Sequence, residues 1–152
     1  MVTPLTEFTA GYTKRRFVSP VRSMRVGIPY NYYDRYAYST VYQEVEIPAG
    51  GSAELTFNIW TKSNEGVEIS SPAGAPSALS TDIQYALVLD KNGYWIDTLM
   101  WRLTNYETWE LITRDMSAYC GETVSILFGV YNNGNDKVSA MWVDDVELWW
   151  TP

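Results

Sequence analysis

The chain contains no histidine and only one cysteine, Cys120. Without histidine there is no imidazole base, no histidine metal ligand and no triad of the serine–histidine type. With one cysteine no internal disulfide can form, and Cys120 is read as a small buried residue. No apolar run approaches the roughly 20 residues of a membrane-spanning helix. Residues 1–10 lack the apolar centre of a secretory signal. Read as a complete chain from Met1, the protein is not expected to be exported by the ordinary route. Basic residues are also scarce. A net charge of −7 argues against nucleic acid as the main partner.

What is present is apolar and aromatic. Hydrophobic residues make up 46% of the 152 positions, enough for one folded domain with a full core. The few bases are unevenly placed. Residues 1–25 hold Lys14, Arg15, Arg16, Arg22 and Arg25 against Glu7 alone, a net +4, which leaves −11 for the remainder. The division predicted is a basic N-terminal arm over 1–21 and a body over 22–152.

Alternation with period two dominates the body. Val41, Val45 and Ile47 share one face, and Ala53, Leu55, Phe57 and Ile59 share another, with Pro48-Ala49-Gly50-Gly51 between them. This pattern predicts a hairpin. A second hairpin is predicted where Asp90-Lys91-Asn92-Gly93 separates Ile83–Leu89 from Tyr94-Trp95-Ile96. Further strands are expected at Ser23–Gly27, around Trp109–Thr113, and over Val124–Val130, whose Val124, Ile126, Phe128 and Val130 point inward. Residues 63–81, rich in Ser, Gly and Pro, read as a long loop. Asp115–Gly121 reads as a short helical turn. About eight strands with Gly- and Asn-rich turns predict an all-β, two-sheet jelly-roll sandwich with an extended N-terminal arm.

Several ordered segments carry a resemblance. They are Arg22–Gly27, Tyr42–Gly50, Ala53–Phe57, Trp109–Ile112, Asp115–Val124 and the closing Trp142-Val143-Asp144-Asp145-Val146-Glu147-Leu148. In this order the chain resembles the galactose-binding-like jelly rolls, which include many carbohydrate-binding and adhesion modules of secreted bacterial proteins. In that family the first Asp of the closing motif often ligates a structural calcium ion, and the matching position is Asp144. The Asn-rich segment that supplies another family carboxylate is not matched, and Glu7 is the only acid in the leader. Two readings of the Asp pair therefore stand. Asp144 ligates calcium, or it accepts backbone N–H bonds at the end of the sandwich while Asp145 faces solvent. No other cofactor is expected.

Two segments are candidates for contact. The leader combines Lys14, Arg15, Arg16 and Phe17; fully extended, its first 17 residues would reach about 56 Å. The run Tyr30-Asn31-Tyr32-Tyr33-Asp34-Arg35-Tyr36-Ala37-Tyr38 places Tyr30, Tyr32, Tyr33 and Tyr36 where large rigid rings suit recognition. It also reads as a plain loop over one end of the sandwich. The aromatic tail, Trp149-Trp150, is expected to pack on its own body or on a neighbour. No nucleophile elbow, phosphate loop or metal-ligand spacing is present, so no enzyme is expected.

The first functional expectation is a structural protein of a larger assembly. As a whole chain it resembles a tailed-phage capsid decoration protein, a homo-oligomer on the virion surface that bridges protein subunits through the arm. The alternative is an extracellular carbohydrate-binding or adhesion module whose Tyr and Trp side chains stack on a glycan. Neither reading involves a membrane or nucleic acid.

Overall fold

The computed structural model describes residues 9–30, 35–71 and 81–152. Among these residues it contains ten strands: β1 (Gly11–Thr13), β2 (Ser23–Gly27), β3 (Tyr36–Glu46), β4 (Ser52–Ser63), β5 (Ile69–Ser71), β6 (Ile83–Leu89), β7 (Trp95–Leu103), β8 (Trp109–Asp115), β9 (Thr123–Asn133) and β10 (Ser139–Thr151). They form two five-stranded antiparallel sheets, ordered β1-β2-β10-β4-β8 and β3-β9-β6-β7-β5. The expected all-β sandwich is present. No helix among the described residues is long and apolar enough to cross a membrane.

The alternation seen in the sequence points into the space between the sheets. Leu55, Phe57 and Ile59 of β4 and Met141 and Val143 of β10 meet Val124, Ile126, Phe128 and Val130 of β9. Phe57 and Phe128 touch edge to face across the core at 5.0 Å. Gln84 of β6 is fully buried and ties the sheets together. Its Nε2 donates to the carbonyls of Lys62 at 3.2 Å and Ala140 at 3.3 Å in the opposite sheet, so its burial is compensated.

One predicted hairpin is corrected. β3 and β4 do not pair: β3 lies beside β9, while β4 lies between β10 and β8. The Pro48–Gly51 turn crosses from one sheet to the other. Both strands still direct their apolar faces into the core, from opposite sides, so alternation alone could not separate the two arrangements. Gly51 is required at the crossing. Its φ is +70°, and a Cβ there would stand 2.0 Å from the carbonyl oxygen of Thr151. The second hairpin forms as predicted, β6 pairing with β7. Asp90 Oδ1 accepts N–H bonds from Asn92 at 2.8 Å and Tyr94 at 2.9 Å. These bonds, that from Tyr94 first, hold the Asp90 carboxyl below its ordinary value.

β2 has the predicted bounds, and Asp115–Gly121 contains a single 3-10 turn, Ser117–Tyr119. The 63–81 loop includes β5, which pairs with β7. Cys120 is half-buried at the margin of the core. The tail is built into β10: Trp150 Nε1 donates to the Gly50 carbonyl at 2.9 Å, while Trp149 stays 60% exposed.

Candidate functional site

The Asp144-Asp145 pair sits at a β-bulge. The β10–β4 register shifts between Asp144 and Glu147, and Asp145 has φ +46°. A bulge re-aims side chains and lets a strand tolerate residues it otherwise disfavours. Val143 and Met141 face the core, so Asp144 and Trp142 face outward on the first sheet.

The leader lies along that outer surface. β1 pairs with β2, adding an edge strand to the body. Beyond it, the Asp144 carboxylate accepts N–H bonds from Val18 at 2.6 Å and Ser19 at 3.2 Å through Oδ2, and from Asp145 at 2.9 Å through Oδ1. Ser23 Oγ donates to the Arg16 carbonyl. From residue 9 onward the expected extended arm is therefore a segment docked on its own domain. The donors around Asp144 do not fit a calcium ion, which needs six to eight oxygens directed inward; here N–H groups point at the carboxylate. Among the described residues no group of three acidic side chains could hold a metal.

Three tryptophans form a row on this outer face. In the strand register Trp142 of β10 is opposite Trp60 of β4, and Trp60 is opposite Trp109 of β8. Trp142 is buried; Trp60 and Trp109 are half-buried and meet edge to face at 6.0 Å. The Arg16 guanidinium lies 4.5 Å from the Trp142 ring centre and 5.2 Å from that of Trp60, within cation–π range. Arg15 Nη1 donates to the Tyr30 hydroxyl. Lys62 Nζ lies 3.4 Å from the Pro29 carbonyl and 6.0 Å from the Tyr30 ring centre. Together with Phe17 these groups line a cleft of about 550 Å³, within the size range of small-ligand sites. Trp60 Nε1 is a buried donor with no partner among the described residues. Arg25, opposite Trp142, continues the row; burial lowers its pKa, and its Nη2 donates to the Thr9 carbonyl at 3.0 Å.

The structure thus brings Arg15, Arg16, Phe17 and Tyr30 together. Lys14 is exposed beside them. Tyr32 and Tyr33 lie outside the described residues. Tyr36 belongs elsewhere, on the outer face of the second sheet. There it meets Tyr131 edge to face at 5.4 Å and Tyr38 at 6.1 Å. On the same face Tyr85 stacks on Trp101, which stacks on Trp95, each pair at 5.7 Å. Burial first, then the hydrogen bond with Tyr36, pushes the Tyr38 phenol up to about 12. Tyr85 Oη and Trp101 Nε1 are buried donors without partners among the described residues. Parity in the sequence places Trp60 on the outer face. Trp109 and Trp142 join it only through pairing between strands far apart in the chain.

No protein-family model matches the chain, and no curated protein matches it. Solved structures resemble it in fold. The enzymatically active domain of tailspike protein 4 of bacteriophage CBA120 is similar with TM-score 0.54 and 13% identity over 98% of this chain, which spans only 19% of that chain. The carbohydrate-binding module TmCBM61, solved with β-1,4-galactotriose, is similar with TM-score 0.51 and 17% identity, over 88% of this chain and 73% of that one. A module of class CBM4 gives TM-score 0.48 and 16% identity, over 85% of this chain and 84% of that one. The fold is a two-sheet jelly-roll sandwich, as in TmCBM61.

Proposed function

We propose that this domain is a non-catalytic carbohydrate-binding module, acting in an extracellular setting, and that its glycan site is the tryptophan-lined cleft of the first sheet. The observation that carries the reading is the half-buried Trp109–Trp60 pair, backed by the buried Trp142, set across three paired strands and flanked by Arg, Lys and Tyr donors. Indole rings offer large rigid apolar area to the C–H faces of a sugar, and donors at the rim orient its hydroxyls. A rigid sheet holds the rings in place without the ordering cost of a loop site. The jelly-roll likeness to TmCBM61 agrees with this use of the fold, although fold does not by itself assign function.

Capsid decoration has weaker support. That reading relies on an ordered basic arm that reaches a neighbouring acidic body, and from residue 9 onward the arm lies on its own sandwich. Affinity electrophoresis through gels containing a panel of plant, algal and bacterial polysaccharides tests the carbohydrate reading. At least one polysaccharide should retard the protein, and Trp109→Ala, at the edge of the row, should abolish the retardation while leaving the melting profile near that of the parent. Absence of retardation by every polysaccharide, or unchanged retardation of Trp109→Ala, would refute it.

A further inference from the structure

We infer that the glycan taken by this cleft is anionic, carrying carboxylate or sulfate groups read by Arg16, Arg15 and Lys62. The inference rests on the carbohydrate reading and adds the ligand's charge. Three cations line the cleft and, among the described residues, no acid does. That is a local departure in a chain of net charge −7, so the positive surface is not a by-product of composition.

Arg16 carries most of the argument. It is half-buried, with its guanidinium on the Trp142 and Trp60 rings. The ion pairs among the described residues, Arg102–Glu110 and Lys137–Glu65, leave it unused, and no described acceptor takes its N–H groups. A guanidinium seated against two indole rings, with its planar fork of donors free, is prepared for a bidentate oxyanion. It covers the Trp142 ring and lies beside that of Trp60, which leaves Trp109 and the uncovered part of Trp60 to meet the sugar. Arg15 is braced by the Tyr30 hydroxyl and Lys62 by the Pro29 carbonyl. The polar groups of Arg15, Arg16, Lys62 and Trp60 are all donors, so the complementary ligand is rich in acceptors. The saturated C–H faces of a sugar suit the indoles, and polyglutamate and DNA are the competing polyanions.

The test is an array of uronate-bearing and sulfated polysaccharides, each printed beside its carboxyl-reduced or desulfated form, with neutral β-1,4-galactan, polyglutamate and single-stranded DNA as further spots. Binding should fall about tenfold or more on the neutralised partner and should weaken as salt is raised. Which neutralisation abolishes binding identifies the anionic group. Arg16→Gln and Lys62→Gln should each lose the preference for the charged form while melting like the parent. Equal binding to native and neutralised forms would overturn the charge inference and leave the carbohydrate reading intact. Binding to no polysaccharide would overturn both. An unchanged preference in Arg16→Gln and in Lys62→Gln would remove the cations from the site. Binding to polyglutamate or DNA as strong as to the acidic glycan would overturn the assignment to a sugar.

Discussion

The Asp144 carboxylate accepts N–H bonds from Val18, Ser19 and Asp145, so a residue that is costly to bury unpaired anchors the segment carrying Arg15 and Arg16. Replacing it with Ala strands the Val18 and Ser19 donors in a half-buried place. Asp144→Ala should cost about 1–3 kcal/mol in urea unfolding and should speed tryptic cleavage after Lys14, Arg15 and Arg16; an unchanged cleavage rate would show that the anchor is not needed. Chelator should leave the melting temperature of the parent unchanged, because the donors at Asp144 are N–H groups; a drop on chelation, restored by added calcium, would show that a metal is held. On the second sheet Gly129 lies beneath the Tyr85 ring, where a Cβ would stand 2.5 Å from a ring carbon. Gly129→Ala should displace Tyr85, costing about 1–3 kcal/mol as overpacking does. Near-ultraviolet circular dichroism would register loss of the Tyr85–Trp101 stack.

The elements show which sequence signals carry structural information and which do not. Asn92-Gly93 specifies a local turn, and β6 and β7 pair around it as short-range chemistry requires. Pro48-Ala49-Gly50-Gly51 marks a turn equally well but cannot say whether the strands it joins share a sheet. Its two glycines separate the local from the tertiary constraint. Both have positive φ, but a Cβ at Gly50 would meet nothing within 4 Å, whereas one at Gly51 would strike Thr151. Gly50→Ala should cost about 1 kcal/mol, the price of the left-handed conformation alone. Gly51→Ala should cost clearly more, about 2 kcal/mol or above, since β10 must also shift. Equal shifts in the denaturation midpoints of the two variants would show that the crossing is looser than described.

Across the whole molecule, tyrosines couple folding to alkaline pH. Burial foremost raises the phenols of Tyr38, Tyr85, Tyr119 and Tyr131, Tyr38 to about 12. A raised phenol pKa means that the fold favours the neutral form. This contribution to stability is complete below the unfolded value of about 10 and is lost as pH rises through it toward the folded values. Urea midpoints should therefore fall between about pH 10 and 12, with the tyrosinate absorbance of these four residues appearing together with unfolding. Tyrosinate absorbance that rises fully near pH 10 in the folded protein would contradict this.

Much of the fold was legible in the sequence because it depends on local periodicity. The inward faces of β4 and β9, the bounds of β2, the Asn-Gly hairpin and the two-sheet class follow from alternation and turn chemistry alone. Composition alone likewise removed histidine chemistry and internal disulfides. The site was legible only in part. Arg15, Arg16, Phe17 and Tyr30 stand out by residue type, yet nothing local joins them to Trp60, Trp109 and Trp142. That union needs β8, β4 and β10 to lie side by side in one register and the leader to turn back onto Asp144. Both are pairings between segments distant in the chain, decided by burial and hydrogen bonding in the folded sandwich rather than by any neighbouring residue.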